Sequence, residues 1–423
     1  MKEEFLHYLW KYKLFHTSNL RTQTREKVDI IHPGIHNKDS GPDFFNARIK
    51  IGPTTWAGNV EIHLRSSDWY HHNHHLDKAY DNVILQVVQH HDQEVYLTNH
   101  TLVPTLEIRF DEVLLKNYEQ LLESESWVAC EKDLNTVEDF VVQKWIEALA
   151  VERLEEKSLR IQAHLKQTQN NWEETFYQLM ARNFGFKLNA GPFELLAKSL
   201  PLKVLAKHRD NLVQLEALLL GQAGFLEPEE GDEYYLTLKQ EFNYLRHKFK
   251  LNPLEKHLWK FLRSRPGNFP TLRIAQFAML IYRSNGLFSR MMGEKEVAPL
   301  RALLHALPSA YWNRHYQLNK LSADQPKPLG RMAVDNVLIN TVVPFLFVYG
   351  KTTREEEYGY RAMALLSEIK PENNSVITRW GKLGMNPKSA FDTQALIHLK
   401  NKYCTFKNCL QCQIGNYIIK NSS

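Results

Sequence analysis

Two acidic residues near the N-terminus, Asp43 and Glu61, have the arrangement expected of a metal site on neighbouring strands. Asp43 precedes an apolar segment, and Glu61 lies in residues 59–65, where apolar and polar residues alternate. Because successive side chains of a strand point to opposite faces, the polar residues form one row. That row contains Asn59, Glu61, His63 and Arg65. Carboxylates from two adjacent strands can bind a hard divalent cation, so Asp43 and Glu61 are predicted ligands of Mg²⁺ or Mn²⁺.

Such a cation would polarise a phosphodiester and lower the pKa of the attacking water. His63 lies two residues beyond Glu61 on the same face and would position or deprotonate that water, while Arg65 would neutralise phosphate charge. The Pro42-Asp43 and Glu61-x-His63 pieces resemble the PD-(D/E)XK nuclease superfamily, which has Pro-Asp at one strand start and Glu-x-Lys on the next. The resemblance implies a restriction-endonuclease-like core and metal-dependent cleavage of DNA or RNA.

The chain departs from that superfamily at His63, where the motif has lysine. Either His63 or Arg65 replaces the lysine, or the activity has been lost. The alternative function is therefore a non-catalytic nucleic-acid-binding or scaffold protein on a degenerate nuclease fold. A Pro-Asp turn next to a salt-bridged strand face would produce the same pattern without any chemistry.

A histidine-rich segment after this strand is a second candidate metal site. Its polar residues are His71, His72, His74, His75, Asp77 and Tyr80. On a helix, His71 would lie one turn from His74, and neutral imidazoles at such spacing can bind zinc. Exposed histidines are the simpler interpretation. If the segment reaches back toward Asp43 and Glu61, it predicts a histidine-centred metallohydrolase that uses His63, His72, His74 and Asp77.

The four cysteines form a third candidate site. Cys404, Cys409 and Cys412 lie within nine residues, and Cys130 is the remaining cysteine of the chain. Four thiolates are what a tetrahedral zinc site or an iron–sulfur cluster requires. The spacing predicts Zn²⁺ or an iron–sulfur cluster that ties the C-terminal tail to Cys130, with free buried thiols as the alternative.

A basic stretch between residues 244 and 273 is a candidate nucleic-acid surface. Its cations are Arg246, Lys248, Lys250, Lys256, Lys260, Arg263, Arg265 and Arg273. Glu255 is the single acid among them, and the interleaved aromatics are Phe249, Trp259, Phe261 and Phe269. Such a stretch can follow a phosphate backbone and stack on bases. A solvated helix face over a packed aromatic stripe is the alternative.

The elements that must position these residues fall into two parts. The pattern predicts a helix over 2–16, strands at 44–51, 56–64, 83–88 and 106–110, and helices from about residue 140 onward. We therefore expect an α/β or α+β core at 1–135, a helical domain at 136–388, which includes a helix over 254–264, and a C-terminal helix with the cysteine cluster at 389–423.

The composition is that of a globular protein. The chain has 423 residues, 43% of them hydrophobic, 24% charged and a net charge of +5, which permits a nucleic-acid partner without requiring one. The sequence contains no run of eighteen apolar residues, so no membrane span is predicted. The acidic N-terminus is unlike a secretion signal, so we expect a cytoplasmic location in which thiols stay reduced.

Several short segments together resemble an uncharacterised bacterial family, the domain of unknown function 2851. They are residues 41–44, 46–47, 58–63, 67–69, 72–74, 77, 80–85, 273–276 and 409–412. The resemblance extends over nearly the whole chain and implies no particular activity. In this family a histidine is expected at the position of Gln86, within Leu-His-Val-Val.

Overall fold

A computed structural model describes residues 1–284 and 286–422. It divides the chain into two units, one formed by Met1–Trp145 together with the residues from Lys400 onward, the other by Ile146–Leu399. The sequence-based divisions lay after residues 135 and 388. The C-terminal tail thus belongs to the same unit as the N-terminal sheet.

The first unit is built on a mixed sheet. Its strands are β1 (Val28–His32), β2 (Ile35–His36), β3 (Phe44–Ile51), β4 (Thr54–Arg65), β5 (Val83–His90) and β6 (Thr105–Glu107). The order is β1-β3-β4-β5-β6, with β2 also paired to β3. Pairs β1–β3 and β3–β4 are antiparallel, whereas β4–β5 and β5–β6 are parallel. The four predicted strands are present, although β6 is shorter than expected.

Helices flank this sheet and form nearly all of the second unit. They are α1 (Glu3–Tyr12), α2 (Asp68–His71), α3 (Glu112–Glu123), α4 (Asp139–Gln167), α5 (Trp172–Phe184), α6 (Phe186–Ser199), α7 (Leu202–Ala206), α8 (Leu212–Gln222), α9 (Glu233–Phe249), α10 (Pro270–Arg283), α11 (Leu287–Gly293), α12 (Val297–Leu304), α13 (Arg331–Val337), α14 (Val343–Thr353), α15 (Glu356–Glu368), α16 (Ser375–Lys382), α17 (Ala390–His398) and α18 (Gln413–Asn421). A two-stranded ribbon, β7 (His315–Gln317) and β8 (Lys320–Leu321), completes the second unit. The prediction of an α/β part followed by a mostly helical part is confirmed at this level.

Helix α1 is held against the sheet by its apolar face. Phe5, Leu6 and Leu9 are fully buried, and the indole N–H of Trp10 donates to the carbonyl of Pro33 at 2.9 Å. Burying side chains of this size stabilises the fold by about 2 kcal/mol each. The packing fixes which α1 residues face the sheet near β4.

In the second unit, the predicted helix over 254–264 is wrong. Only Lys256–Leu258 form a short 3₁₀ turn, and Trp259 leaves it in extended conformation to enter the hydrophobic core. Tertiary packing of one large side chain outweighs the weak local helix preference there. A continuous helical stretch, Arg331–Thr353, is long and apolar enough to cross a membrane, and 72% of its most apolar window is buried inside the protein.

Gly58 allows close strand packing, since a Cβ at this position would lie 2.4 Å from Ile84 Cγ2 and 2.7 Å from the Asn82 carbonyl oxygen. We expect Gly58→Ala to lower the free energy of unfolding by about 2 kcal/mol through overpacking. Gly359→Ala is the control, because a Cβ at this helical position would meet no atom within 4 Å. This substitution should raise the free energy of unfolding by about 0.5 kcal/mol. Thermal unfolding of both variants measures the difference, and equal midpoints would contradict this account of β4.

Candidate functional site

Asp43 and Glu61 lie side by side because their strands are neighbours. Asp43 immediately precedes β3, and Phe44 pairs with Val60 of β4. The backbone N–H of Asp43 donates to Glu61 Oε2 at 3.1 Å, and that of Ile62 donates to Asp43 Oδ2 at 2.9 Å. The backbone of the sheet therefore holds the two carboxyl groups in fixed positions relative to each other.

Helix α1 adds two ionisable residues, Glu3 and His7, to the site. Neither residue was predicted from the sequence. His7 Nε2 lies 3.2 Å from Asp43 Oδ2. Burial acts to lower the pKa of His7, but the hydrogen bond and charge of Asp43 outweigh it and the pKa is raised. Burial and the charge of Asp43 raise the pKa of Glu3 to about 7. The one sequence signal was the spacing of four between Glu3 and His7, which places both on one helix face.

The histidine-rich segment is not one continuous helix. Helix α2 ends at His71, and Asn73 adopts a left-handed conformation with φ of 61° before a short 3₁₀ turn begins at His74. His71 remains exposed beside Asp68, whereas His74 is turned inward and buried. The arrangement considered for a helix, with His71 one turn from His74, is therefore not formed, because Asn73 interrupts the helix between them.

His63, His72 and His74 converge next to Glu61. His72 Nδ1 lies 3.2 Å from His63 Nε2, and Glu61 Oε1 lies 3.2 Å from His74 Nε2 and 3.6 Å from His63 Nε2. Within the described residues, these three histidines are the one set whose potential ligand atoms all lie within 4.8 Å of one another. Metal–nitrogen bonds in a tetrahedral site place ligand atoms about 3.3 Å apart. The separation of His63 and His72 already has this value, and all three imidazoles lie within 4.8 Å, close enough to converge on one four-coordinate ion.

Gln86 controls the tautomer of the fully buried His63. Its amide Nε2 donates to His63 Nδ1 at 3.0 Å and to the Ser66 carbonyl at 3.2 Å, while the Thr105 hydroxyl donates to its Oε1. The proton of a neutral His63 then lies on Nε2, which faces His72. An ion bound at Nε2 needs the proton on Nδ1 instead, so binding would require the amide of Gln86 to turn its oxygen toward His63.

Burial determines the protonation of this cluster. Desolvation, followed by the charge of Asp43, raises the pKa of Glu61 to about 9. Desolvation and the charges of His74 and His72 lower the pKa of His63 to about 3, and desolvation also lowers the pKa of His74. Near neutral pH, Glu61 is thus a protonated carboxyl group beside the neutral imidazoles of His63 and His74. Once the amide of Gln86 has turned, the lone pairs of these imidazoles are suited to a divalent cation, which would also restore the carboxylate charge.

The other predicted residues of this region lie around the cluster. The ring of Tyr80 stacks on His74 with centroids 3.8 Å apart, so it supports that imidazole. Asp77 is exposed, and its side chain caps the 3₁₀ turn that follows it. It therefore does not act as a ligand in this arrangement. Arg65 is exposed at the end of β4, and Asn59 is half-buried two residues before Glu61.

The structure also brings the four cysteines together in the first unit. Cys130, Cys409 and Cys412 are buried and Cys404 is partly buried, all as free thiols. Each interacts electrostatically with the other three. They form a second group of potential metal ligands, with sulfur in place of nitrogen and oxygen.

The basic stretch of the second unit is only partly a surface. Seven of its eight cations are exposed, but Arg273 is 5% exposed, and its guanidinium donates to Gln276 Oε1 and Asn268 Oδ1. The assignment of Arg273 to a nucleic-acid surface is therefore wrong, because its charge is enclosed by protein. The indole of Trp259 is also buried and donates to the Ala223 carbonyl, so it is not available for base stacking.

These observations define a chain with two units. One is built on a mixed sheet and carries a histidine–carboxylate cluster in which His72 is exposed and the other members are buried. The other unit is helical. The sequence matches the family model described as protein of unknown function (DUF2851) over residues 3–375, and the chain belongs to this family. The matched region ends before the three C-terminal cysteines. Comparisons with curated proteins and with solved structures gave no match, so they do not support the nuclease resemblance of the N-terminal region.

The buried carboxyl group of Glu61 should make the metal-free protein sensitive to pH. The pKa of Glu61 is about 9 in the folded state, against 4.5 in the unfolded chain. The contribution of this group to the free energy of unfolding is therefore fully present below pH 4.5 and is lost as the pH rises toward 9. We expect Glu61→Gln, which cannot ionise, to stabilise the chelator-treated protein at pH 8 by about 1 kcal/mol or more. Urea unfolding at pH 5 and pH 8 measures this, with the exposed Glu125→Gln as control. An equal pH response of wild type and Glu61→Gln would contradict the assignment.

Proposed function

We propose that the chain is a metal-dependent hydrolase of phosphodiester bonds in DNA or RNA. The observation that carries the proposal is the convergence of His63, His72 and His74 on Glu61 at spacings that suit one four-coordinate ion. A nuclease needs an electrophile beside the phosphate and a base that accepts a proton from the attacking water. In this cluster, the imidazoles are ligands for a metal ion that acts as the electrophile, and the carboxyl group of Glu61 is the base.

The donor set bears on the choice of metal. Imidazole nitrogen suits zinc and other transition metals, whereas Mg²⁺ prefers oxygen ligands in octahedral geometry. We therefore propose Zn²⁺ or Mn²⁺ rather than Mg²⁺. Asp43 already accepts a hydrogen bond from the backbone N–H of Ile62 and contacts His7. We therefore propose that Asp43 positions His7 and is not the metal ligand that the sequence predicted.

The reaction can then be divided among residues of the chain. The three imidazoles would hold the ion, which supplies charge to polarise the phosphate and acidify water. The carboxylate of Glu61 would accept the proton of the attacking water. His7, whose pKa Asp43 raises, would donate a proton to the leaving oxygen. Arg65, exposed at the strand end, would contact a phosphate of the substrate.

Support for nucleic acid as the substrate class comes from the motif and from charge. Asp43 before one strand and Glu61-x-His63 on the next, followed by a helix and an apolar strand, is the arrangement that resembles PD-(D/E)XK nucleases. The seven exposed cations between Arg246 and Arg265 offer a surface of the second unit for phosphates. A metal-binding scaffold without cleavage is the competing function.

A matched pair of variants tests the proposal. His74→Asn removes a cluster imidazole, whereas His71→Asn changes an exposed histidine of the same segment that lies outside the cluster. We expect His74→Asn to lower zinc or manganese affinity by about 100-fold and to abolish cleavage of single- and double-stranded DNA and RNA. His71→Asn should retain wild-type metal content and cleavage. Elemental analysis and a gel cleavage assay measure the two effects.

The possible results separate the two parts of the proposal. Metal binding that depends on His74 without cleavage of any nucleic acid would overturn the nuclease and leave the scaffold function. Full metal content in His74→Asn would overturn the metal site itself. Arg65→Gln should weaken substrate binding without loss of metal, because its side chain lies beyond the cluster at the exposed strand end.

A further inference from the structure

The second group of potential ligands, Cys130, Cys404, Cys409 and Cys412, is assembled from distant parts of the chain. Cys130 follows α3, Cys404 and Cys409 begin consecutive 3₁₀ turns, and Cys412 directly precedes α18. All six pairs of these thiols interact electrostatically. Every cysteine of a 423-residue chain thus lies in one cluster. This is the behaviour of ligands to a common centre, since buried cysteines that only fill space have no reason to converge.

Polar donors are directed at the sulfur of Cys412. Burial raises the pKa of the Cys412 thiol, but its sulfur accepts hydrogen bonds from the backbone N–H groups of Gly415 and Ile414 and from the indole of Trp145. Trp145 is 9% exposed, and its indole N–H has no other hydrogen-bond partner. Hydrogen bonds to sulfur are stronger for a metal-bound thiolate than for a neutral thiol, which is only a weak acceptor. These donors therefore suit Cys412 to the role of ligand.

The backbone around the cluster is fixed to hold this shape. A Cβ at Gly415 would lie 2.4 Å from the carbonyl oxygen of Cys409, so the first turn of α18 packs directly on that residue. Asn416 Nδ2 donates to the carbonyls of Leu410 and Cys412 at 2.9 and 2.8 Å. Such hydrogen bonds orient the loop that presents the thiols before any ligand enters.

Two lysines balance the charge that several thiolates would bring. Lys400 favours the thiolate of Cys404, and Lys407 favours that of Cys409. Lys400 is positioned by its hydrogen bond to the Trp127 carbonyl at 2.8 Å, and Lys407 by one to the Leu122 carbonyl. These ammonium groups would offset part of the negative charge of bound thiolates, whereas in the free protein burial raises the pKa values of both cysteines.

The spacing of the thiols distinguishes one ion from a larger centre. Four thiolates around one zinc ion lie about 3.8 Å apart, because each Zn–S bond is about 2.3 Å. Across the described part of the chain, no three cysteine sulfurs lie within 4.8 Å of one another. In a cubane cluster each cysteine binds a different iron atom, so its thiolates are held farther apart. We propose that Cys130, Cys404, Cys409 and Cys412 bind an iron–sulfur cluster of the four-iron type.

The test uses the full chain, purified without oxygen and reconstituted with ferrous iron and sulfide under reducing conditions. We expect about four irons and four acid-labile sulfides per chain, with the broad visible absorption of such clusters. Cys404→Ser changes the least buried ligand and should lower iron and sulfide content several-fold, while circular dichroism reports whether the fold is kept.

His74→Asn is the matched control, because it removes a ligand of the other candidate site and should keep full iron and sulfide. This separates the cluster from the proposed hydrolase function, which can fail without affecting it. One zinc per chain with no sulfide would overturn the proposal in favour of a zinc site. Four thiols that react freely in the folded wild type after reconstitution would overturn it as well, and this measurement needs no variant.

Discussion

The hydrogen bond from the backbone N–H of Asp43 to Glu61 Oε2 joins the start of β3 to the middle of β4 and holds a carboxyl group inside the first unit. The desolvation of that group raises its pKa, and desolvation likewise lowers the pKa values of His63 and His74 beside it. An ionised Glu61 without a counter-charge would be costly at this position. The remaining contacts of the site, including that of His7 with Asp43, are arranged around this buried carboxyl group.

The first unit holds two groups of potential ligands with different chemistry. The cluster at Glu61 offers nitrogen and oxygen, whereas the C-terminal loop offers four thiols. Soft thiolates and imidazoles select different metals even when both are present in the cell. Since α18 and the loop before it belong to the same unit as the sheet, binding at the cysteines would also tie the tail to Cys130 and stabilise the unit against local unfolding.

Much of this arrangement could be predicted from local patterns in the sequence. Alternation over 59–65 predicted β4 and placed Glu61 and His63 on one face, which the structure has. The spacing of the histidines did not reveal their arrangement, because the left-handed conformation of Asn73 interrupts the helix that would have aligned His71 with His74. The helix over 254–264 was wrong for a related reason: burial of Trp259 overrides a local preference of a few tenths of a kcal/mol per residue.

The sequence by itself determined the strands of the sheet, the helical character of the second unit and the residue types able to bind metal, since these depend on short-range periodicity and side-chain chemistry. Only the tertiary structure decided that His7 of α1 contacts Asp43, that Gln86 sets the tautomer of His63 and that Arg273 is enclosed. These contacts join residues far apart in the chain, or depend on which face of an element is covered. Packing of the whole unit determines both, and no local pattern encodes them.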